Sequence, residues 1–351
     1  MTDRRGQGSA QDSDQHPALC APATSHACIA HTRLYRDGKV VAEGFPVADI
    51  SEHLRGDGTV IWLDLEDPEQ ADLAIVTDEL GLHPLAVADA VADRQRPKLD
   101  RYDDHLFLNT YVVTFDPDSG ELATHEVAAF VTERAFVTVR KDASTSVDAL
   151  TARWDSSKEN AGSGVAYLLH GLLDEVVDGH FSVVEDLDDA LDLLEDLLFD
   201  PQGRSDELQR RSFALRKSLV GLRRVVLPMR EVVNTLLRRD LHVVDQQMQP
   251  YYQDVYDHVL RAAEWTEGLR DLVSTILETN LTLQGNRLNE TVRKLTAYAA
   301  ILAVTTAITG FYGQNVPYPG FAEPAGFYTS ALVLALSVLG LYAFFKRRGY
   351  L

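Results

Sequence analysis

Between residues 31 and 155 the apolar positions alternate or fall in short runs, and they predict a mixture of strands and helices. In HTRLYRDGKVVAEG, alternating segments flank Asp37-Gly38. That dipeptide accepts the positive φ angles of a two-residue turn, so a hairpin is expected. TVIWLDLEDP predicts a strand ending at Asp67-Pro68. EQADLAIVTDELGL predicts an amphipathic helix stopped by Gly81, and HPLAVADAVAD a second helix. HLFLNTYVVTF, HEVAAFVTE and AFVTVRK, rich in Val, Thr and Phe, predict strands. The expected class for residues 31–155 is therefore α+β.

The strand pattern then stops, and residues 156–250 predict antiparallel helices. Leu173, Val177, His180, Val184, Leu187, Leu191, Leu194 and Leu198 recur at alternating four- and three-residue steps, the seam of a heptad repeat. His180 on that seam predicts a packed imidazole rather than a ligand. The other faces carry Glu185, Asp186, Asp188, Asp189, Asp192, Glu195, Asp196 and Asp200. A second seam, Leu215, Leu219, Leu222, Val226, Met229, Val233 and Leu236, has a basic face with Arg216, Lys217, Arg223, Arg224, Arg230, Arg238 and Arg239. Pro228 lies inside it and predicts a bend. Two readings of the acidic face stand: a solvated surface paired with the basic helix, or a surface that concentrates divalent cations.

No proline interrupts the chain between Pro250 and Pro317. Residues 251–312 predict one helix, its first part (251–294) a polar stalk. Residues 295–311, LTAYAAILAVTTAITGF, are uncharged and span about 26 Å at ~1.5 Å per residue, near the ~30 Å of a bilayer core. Residues 327–345, FYTSALVLALSVLGLYAFF, form a second uncharged run. Helices apolar on every face predict two membrane spans, 295–312 and 327–345, joined by a loop at 313–326. Arg287, Arg293 and Lys294 precede the first span, the tail 346–351 carries Lys346, Arg347 and Arg348, and the loop has no Lys or Arg. The positive-inside rule then predicts cytoplasmic termini in a plasma (inner) membrane and an external loop.

Composition narrows the chemistry. The formal net charge of −20 excludes nucleic acid as a partner, because phosphate binding needs a basic stripe. Only Cys20 and Cys28 are present, with neither disulfide-framework nor metal-ligand spacing. The N-terminal segment, residues 1–30, is polar at its start and lacks a secretory apolar core, so disorder is expected there. Metalloprotease, phosphate-loop and nucleophile-elbow motifs are absent, so no enzyme is predicted. Arg55-Gly56-Asp57 reads as a turn.

One stripe on the first span stands out. Asn289, Val292, Leu295, Ala299, Ala303, Thr306 and Gly310 share a helical face. Small residues on a lone helix form a packing face. In a symmetric ring of helices the same stripe lines a pore, with Asn and Thr offering oxygens to a cation or its water. Period alone leaves both open.

NRLNETVRKLTAYAAILAVTTAITGFYGQN, the short loop, the second span and KRRGYL together resemble the CorA family of divalent-cation channels. KSLVGLRRVVLPMREVVNTL, DVYDHVLRAAEWTEGLRDLVSTILE and VADAVADRQRPKLDRYDDHLFL resemble its cytosolic segments, so the likeness runs from about residue 32 to the end. The resemblance implies a CorA-like funnel: a homopentamer whose first spans form the pore, within the lipid bilayer, carrying Mg²⁺ and also Co²⁺ or Ni²⁺. It implies that the stripe above is the pore face and that Gly313, Gln314 and Asn315 form the outer mouth. There Asn315 would offer a neutral oxygen to the water shell of Mg²⁺, which dehydrates reluctantly. Gly313 would let the chain turn at the helix end. Asp89 and Asp254 match the family's cytosolic regulatory metal site, where intracellular Mg²⁺ favours the closed pore.

Several residues depart from the family pattern. Gly-Gln-Asn replaces Gly-Met-Asn, and PYPGFAEPA replaces Met-Pro-Glu-Leu, leaving Glu323 as the candidate mouth acid. Ala303 stands where many relatives have Met, and Ala88 where many have an acid before Asp89. Gln314 motivates a second reading, a proton-coupled Zn²⁺ transporter of the ZntB branch. A membrane-anchored, non-conducting cytosolic module is the third.

Overall fold

The computed structural model describes residues 18–19, 28–92, 94–143, 147–156, 158–199, 205–238, 243–314 and 317–351. Two compact units are present, Met1–Ser274 and Thr275–Leu351.

The first unit is built on a mixed sheet. Its strands are β1 (Ala18–Leu19), β2 (Ile29–Arg36), β3 (Lys39–Glu43), β4 (Thr59–Glu66), β5 (Lys98–Arg101), β6 (Leu106–Asp116), β7 (Glu121–Val131) and β8 (Ala135–Arg140). The order is β1-β2-β4-β8-β7-β6-β5, with β3 also paired to β2. All pairings are antiparallel except β4 with β8, where Ile61 lies opposite Ala135 and Glu66 opposite Arg140. The Asp37-Gly38 hairpin forms as the sequence predicts: both residues have positive φ, and Arg36 pairs with Lys39. One part of the N-terminal segment is ordered, against expectation. Ala18 and Leu19 pair with Ala30 and Ile29, using a stretch of the β2 edge that β3 does not reach. The rest of that expected disordered segment, up to residue 27, lies outside the described residues.

The two sheet faces bury alternate residues, as a period of two requires. Ile61, Leu63, Leu65, Phe107, Phe130, Val137 and Val139 share a core with α1 (Ile50–His53), α2 (Gln70–Leu80) and α3 (Pro84–Val91). Trp62, Leu106, Leu108, Val127, Ala129 and Phe136 share the opposite core with α4 (Val147–Ser156), α5 (Val165–Leu198), α6 (Ser205–Leu236) and the start of α7 (Gln249–Tyr312). Both predicted heptad seams are buried along their whole length. Pro228 sits inside α6 without ending it.

One set of polar groups inside this second core is satisfied by its own members, while the buried His180 Nδ1 has no hydrogen-bond partner among the described residues. The Trp62 indole donates to Thr138 Oγ1 at 3.1 Å, and Thr138 donates to Asp64 at 2.6 Å. Arg140 donates to both Asp64 oxygens at 2.8–3.1 Å and to Glu66 at 2.9 Å. Asp64 and Arg140 are both buried, and a buried charge needs such a partner. His180 is packed, as expected for its seam position: its Nε2 donates to the Tyr111 carbonyl at 2.8 Å. The expected pairing of the acidic and basic helices does not form. Glu185, Asp186, Asp188, Asp189, Asp192, Glu195 and Asp196 have no ion pair among the described residues, and Asp200 lies outside them. The basic face of α6 is engaged elsewhere, Arg223 with Glu267 of α7 and Lys217 with Glu121 of β7.

In the second unit, α7 continues to Tyr312 and α8 (Pro324–Arg347) follows a compact loop. Both helices are long and apolar enough to cross a membrane. In the loop, Phe321 N–H donates to the Tyr318 carbonyl, Glu323 N–H to Gly320, and Gly326 N–H to Glu323. Gly320 has a φ of 92°, and a Cβ on Gly326 would overlap the Gly320 carbonyl. Two glycine backbones in contact therefore close the loop.

Two outcomes follow. Complete burial holds the His180 imidazole neutral, its pKa pushed down to about 4. The unfolded chain takes up that proton near pH ~6.5, so between pH ~6.5 and about 4 the unfolded state binds more protons and stability falls on acidification. The loss is about 2 kcal/mol between pH 7 and pH 4.5. Thermal melts of purified protein at those two pH values will show a larger drop for wild type than for His180→Gln, which keeps a neutral donor. Gly326→Ala forces the loop apart and costs about 1–3 kcal/mol, read as a lowered melting temperature in detergent.

Candidate ion pathway and cytosolic cation site

The stripe Asn289, Val292, Leu295, Ala299, Ala303, Thr306 and Gly310 lies on one face of α7 and is exposed along its whole length. A different stripe, Ala297, Ile301, Val304, Thr305, Ile308 and Tyr312, is shielded or half-shielded within the unit. So is one face of α8: Ser330, Leu334, Ser337, Val338, Leu341 and Phe345. The face that carries Asn289 and Thr306 is thus left uncovered by the rest of the chain.

Hydrogen bonding sharpens its chemistry. Thr306 Oγ1 donates to the Leu302 carbonyl at 2.8 Å, one turn back. Its proton is used inside the helix, and its lone pairs remain free to accept from water or to face a cation. The Asn289 amide has no hydrogen-bond partner among the described residues.

At the C-terminal end of α7, Gly313 N–H donates to Thr309 at 2.9 Å and Gln314 N–H to Phe311 at 3.3 Å. Gly313 directly follows the last residue of α7, at the helix end where it is expected, and has no positive φ. The helix end is instead tightly wound there, and a Cβ at Gly313 would stand 3.0 Å from the Thr309 carbonyl. Close approach, not a positive φ, is what the glycine supplies. Gln314 is exposed, and Asn315 lies outside the described residues. Glu323 is the N-cap residue of α8, yet its carboxylate makes no capping bond and is exposed. Phe311, Tyr312, Tyr318 and Phe321 form a chain of ring contacts at 5.2–6.5 Å that ties the loop to the end of α7. Aromatic side chains of this kind suit the membrane–water boundary.

Asp89 and Asp254 are placed on different elements with different partners. Asp89, on α3, accepts from the Lys98 ammonium at 2.5 Å, and Asp100 takes the same ammonium at 2.7 Å. Lys98 also lies over the Phe107 ring at 5.5 Å. Burial opposes its charge, but hydrogen bonds to Asp100 and Asp89 prevail and raise its pKa. Asp254, on α7, is exposed and stands 3.9 Å from His258. Among the described residues no group of three or more His, Cys, Asp or Glu is gathered to hold a metal.

No spacing in the chain signals Lys98 as Asp89's partner, nor what fixes the turn between them. That turn is clamped from the sheet. Glu126 accepts from the Arg94 N–H at 3.2 Å and from Asn109 at 2.9 Å. Asn109 and Tyr111 donate to the Gln95 carbonyl, and Lys141 donates to that of Ala92. Burial, with Glu126 beside it, pushes the Tyr111 phenol up to about 12, so it stays a donor.

Comparison with known proteins adds the family. A family model described as CorA-like Mg2+ transporter protein matches residues 57–347. The chain is 29% identical over 315 residues to the cobalt/magnesium transport protein CorA of Thermotoga maritima, spanning 88% of each. It is 26% identical over 300 residues to the zinc transport protein ZntB of Yersinia enterocolitica, spanning 83% of this chain and 88% of that one. The solved CorA magnesium transporter of Methanocaldococcus jannaschii superposes with a TM-score of 0.73 at 22% identity, over 92% of this chain and 99% of that one. At that identity the likeness carries the fold: an α+β unit, a long helix and two apolar C-terminal helices. The family is membrane-embedded, and the two candidate spans fit it. With the family match covering most of its length, this chain belongs to the CorA-like Mg2+ transporter family.

Proposed function

We propose that the chain assembles as a homopentamer in the plasma membrane, with both termini cytoplasmic, and conducts Mg²⁺ inward, with Co²⁺ or Ni²⁺ as further substrates. The observation that carries this reading is the exposed stripe of α7, uncharged and provided with the free oxygens of Asn289 and Thr306. Five copies of it around an axis make a narrow path that presents neutral oxygens to a hydrated ion. Mg²⁺ keeps its waters, so a ring of weak acceptors can orient it and still release it. Asn315, beside Gln314 and Gly313, supplies the outermost ring, and Glu323 the nearby negative charge. Membrane potential drives entry with about 4.6 kcal/mol per divalent ion per 100 mV.

Asp89 and Asp254 offer hard carboxylate oxygens, the donor type that suits Mg²⁺. On this reading they hold a regulatory ion between neighbouring subunits. Because Lys98 already engages Asp89, that ion competes with a tethered ammonium. Asp89→Asn weakens the regulatory site, and Lys98→Met strengthens it about tenfold. Limited proteolysis across a Mg²⁺ titration checks this: the protection midpoint moves to lower Mg²⁺ in Lys98→Met and to higher Mg²⁺ in Asp89→Asn.

Gln314 supports a second reading, Zn²⁺ transport coupled to protons, as does the similarity to a protein named for zinc transport. Proteoliposomes loaded with Mg²⁺ and Zn²⁺ indicators separate the two. Mg²⁺ entry that follows the potential and ignores a pH gradient supports the first, with Asn315→Ala reducing entry at least tenfold while the assembly stays intact. Zn²⁺ entry that grows with an inward proton gradient supports the second. If neither ion enters, the chain is a membrane-anchored cytosolic module.

A further inference from the structure

The last residues of the chain fold back on the pore helix. α8 ends in a Schellman turn: Gly349 has a φ of 70°, its N–H donates to the Lys346 carbonyl at 3.2 Å, and the Tyr350 N–H donates to Phe345 at 3.0 Å. This reversal sets the Tyr350 ring against Phe345, with centroids 5.9 Å apart, and beneath the Arg293 guanidinium, 5.9 Å from the ring centre. Arg293 lies on α7, one position after Val292 of the exposed stripe.

The two neighbouring cations at this point are treated differently. Lys294 is neutralised by Glu290 at 2.8 Å. Arg293 has no carboxylate partner among the described residues, and the Tyr350 ring is its contact. A planar guanidinium over an aromatic face is a directional attraction that keeps the full positive charge. One turn further, Ala297 is completely buried although its neighbours on α7 are exposed.

We infer that Tyr350 is a positioning residue: its ring holds the Arg293 guanidinium to the side of the cytosolic end of the first span, and so keeps five like charges off the ion path. This rests on the reading of α7 as the pore helix. Released from the ring, Arg293 sweeps the mouth and repels the cation that must leave through it.

The full-length protein in proteoliposomes tests this in two steps. In a Cys20→Ser, Cys28→Ala background, Arg293→Cys with Tyr350→Cys reacts with a short bis-maleimide to give an intramolecular link, detected as a mass increase of the intact monomer. No link overturns the contact. Tyr350→Leu, which keeps apolar bulk and removes the π face, then lowers Mg²⁺ influx about three- to tenfold. Tyr350→Phe restores it, and Arg293→Gln with Tyr350→Leu conducts like Arg293→Gln alone. Unchanged influx in Tyr350→Leu, or a loss that persists without the Arg293 charge, overturns the positioning role. If the double-cysteine variant links but wild type conducts no divalent ion, the pore reading falls and takes the role of Arg293 with it.

Discussion

The apolar end of α7 and residues 327–345 of α8 carry no charge and have little to give to water. Helices of this kind are stable only in hydrocarbon or against one another, and in hydrocarbon each backbone group must be satisfied inside its own helix. The constraint governs what else these segments may contain. Polar side chains are few, and the threonines bond inside their own helix. Thr305, Thr306 and Thr309 all return their protons to carbonyls one turn back. On the open face Thr306 is left with acceptor lone pairs, and the Asn289 amide adds an oxygen that no neighbour occupies. The same constraint shapes the connection between the helices, a short turn closed by two glycine backbones and fastened by aromatic rings.

The sheet unit solves a different problem. Its interior admits charge, but only where the charge is fully engaged, as with Asp64, Arg140 and Thr138. These bonds cross the parallel pairing of β4 and β8, where register has no hairpin to set it. A shift by one residue would turn Asp64 and Trp62 to the other face, so the network and the alternating core specify the same register. The Glu126 cluster does similar work for the turn after α3 and thereby sets where Asp89 meets Lys98.

Much of this was legible in the residue pattern. The central strands alternate or run apolar, the two heptad seams predict their own burial, and His180 is neutral and packed as its position suggests. β5 escaped notice because Lys98-Leu99-Asp100-Arg101 is a charged edge strand held by β6 alone. α4 is short, and its packing on α5 rests on Leu150 and Trp154 together with the pairing of Arg153 to Asp174, Glu175 and Asp178, which no local spacing announces. The stripe on α7 could be read from its period, but which face the chain leaves open depends on what the rest of the unit shields. Charge complementarity misled: the acidic and basic helices pair through their leucines, and their charges face other directions. Lys98 and Tyr350 reach their partners through turns, Lys98 after the α3 loop and Tyr350 across a helix cap, and no local spacing encodes such contacts.

The pairing of β4 with β8 also imposes an order on biosynthesis. Asp64 and Thr138 are 74 positions apart. At ~5–20 residues per second, roughly 4–15 s pass between the synthesis of one and the other. Throughout that interval the nascent β4, Thr-Val-Ile-Trp-Leu-Asp-Leu-Glu, lacks the neighbour on one of its edges. An unpaired apolar strand invites wrong partners, and this window is when the growing chain most needs shelter. The core that covers Trp62 is finished only by Tyr252, Val255 and Val259, on the same helix that goes on to become the first span. The water-soluble part of the protein is therefore completed just before the ribosome delivers the segment bound for the membrane, and a single helix marks the handover.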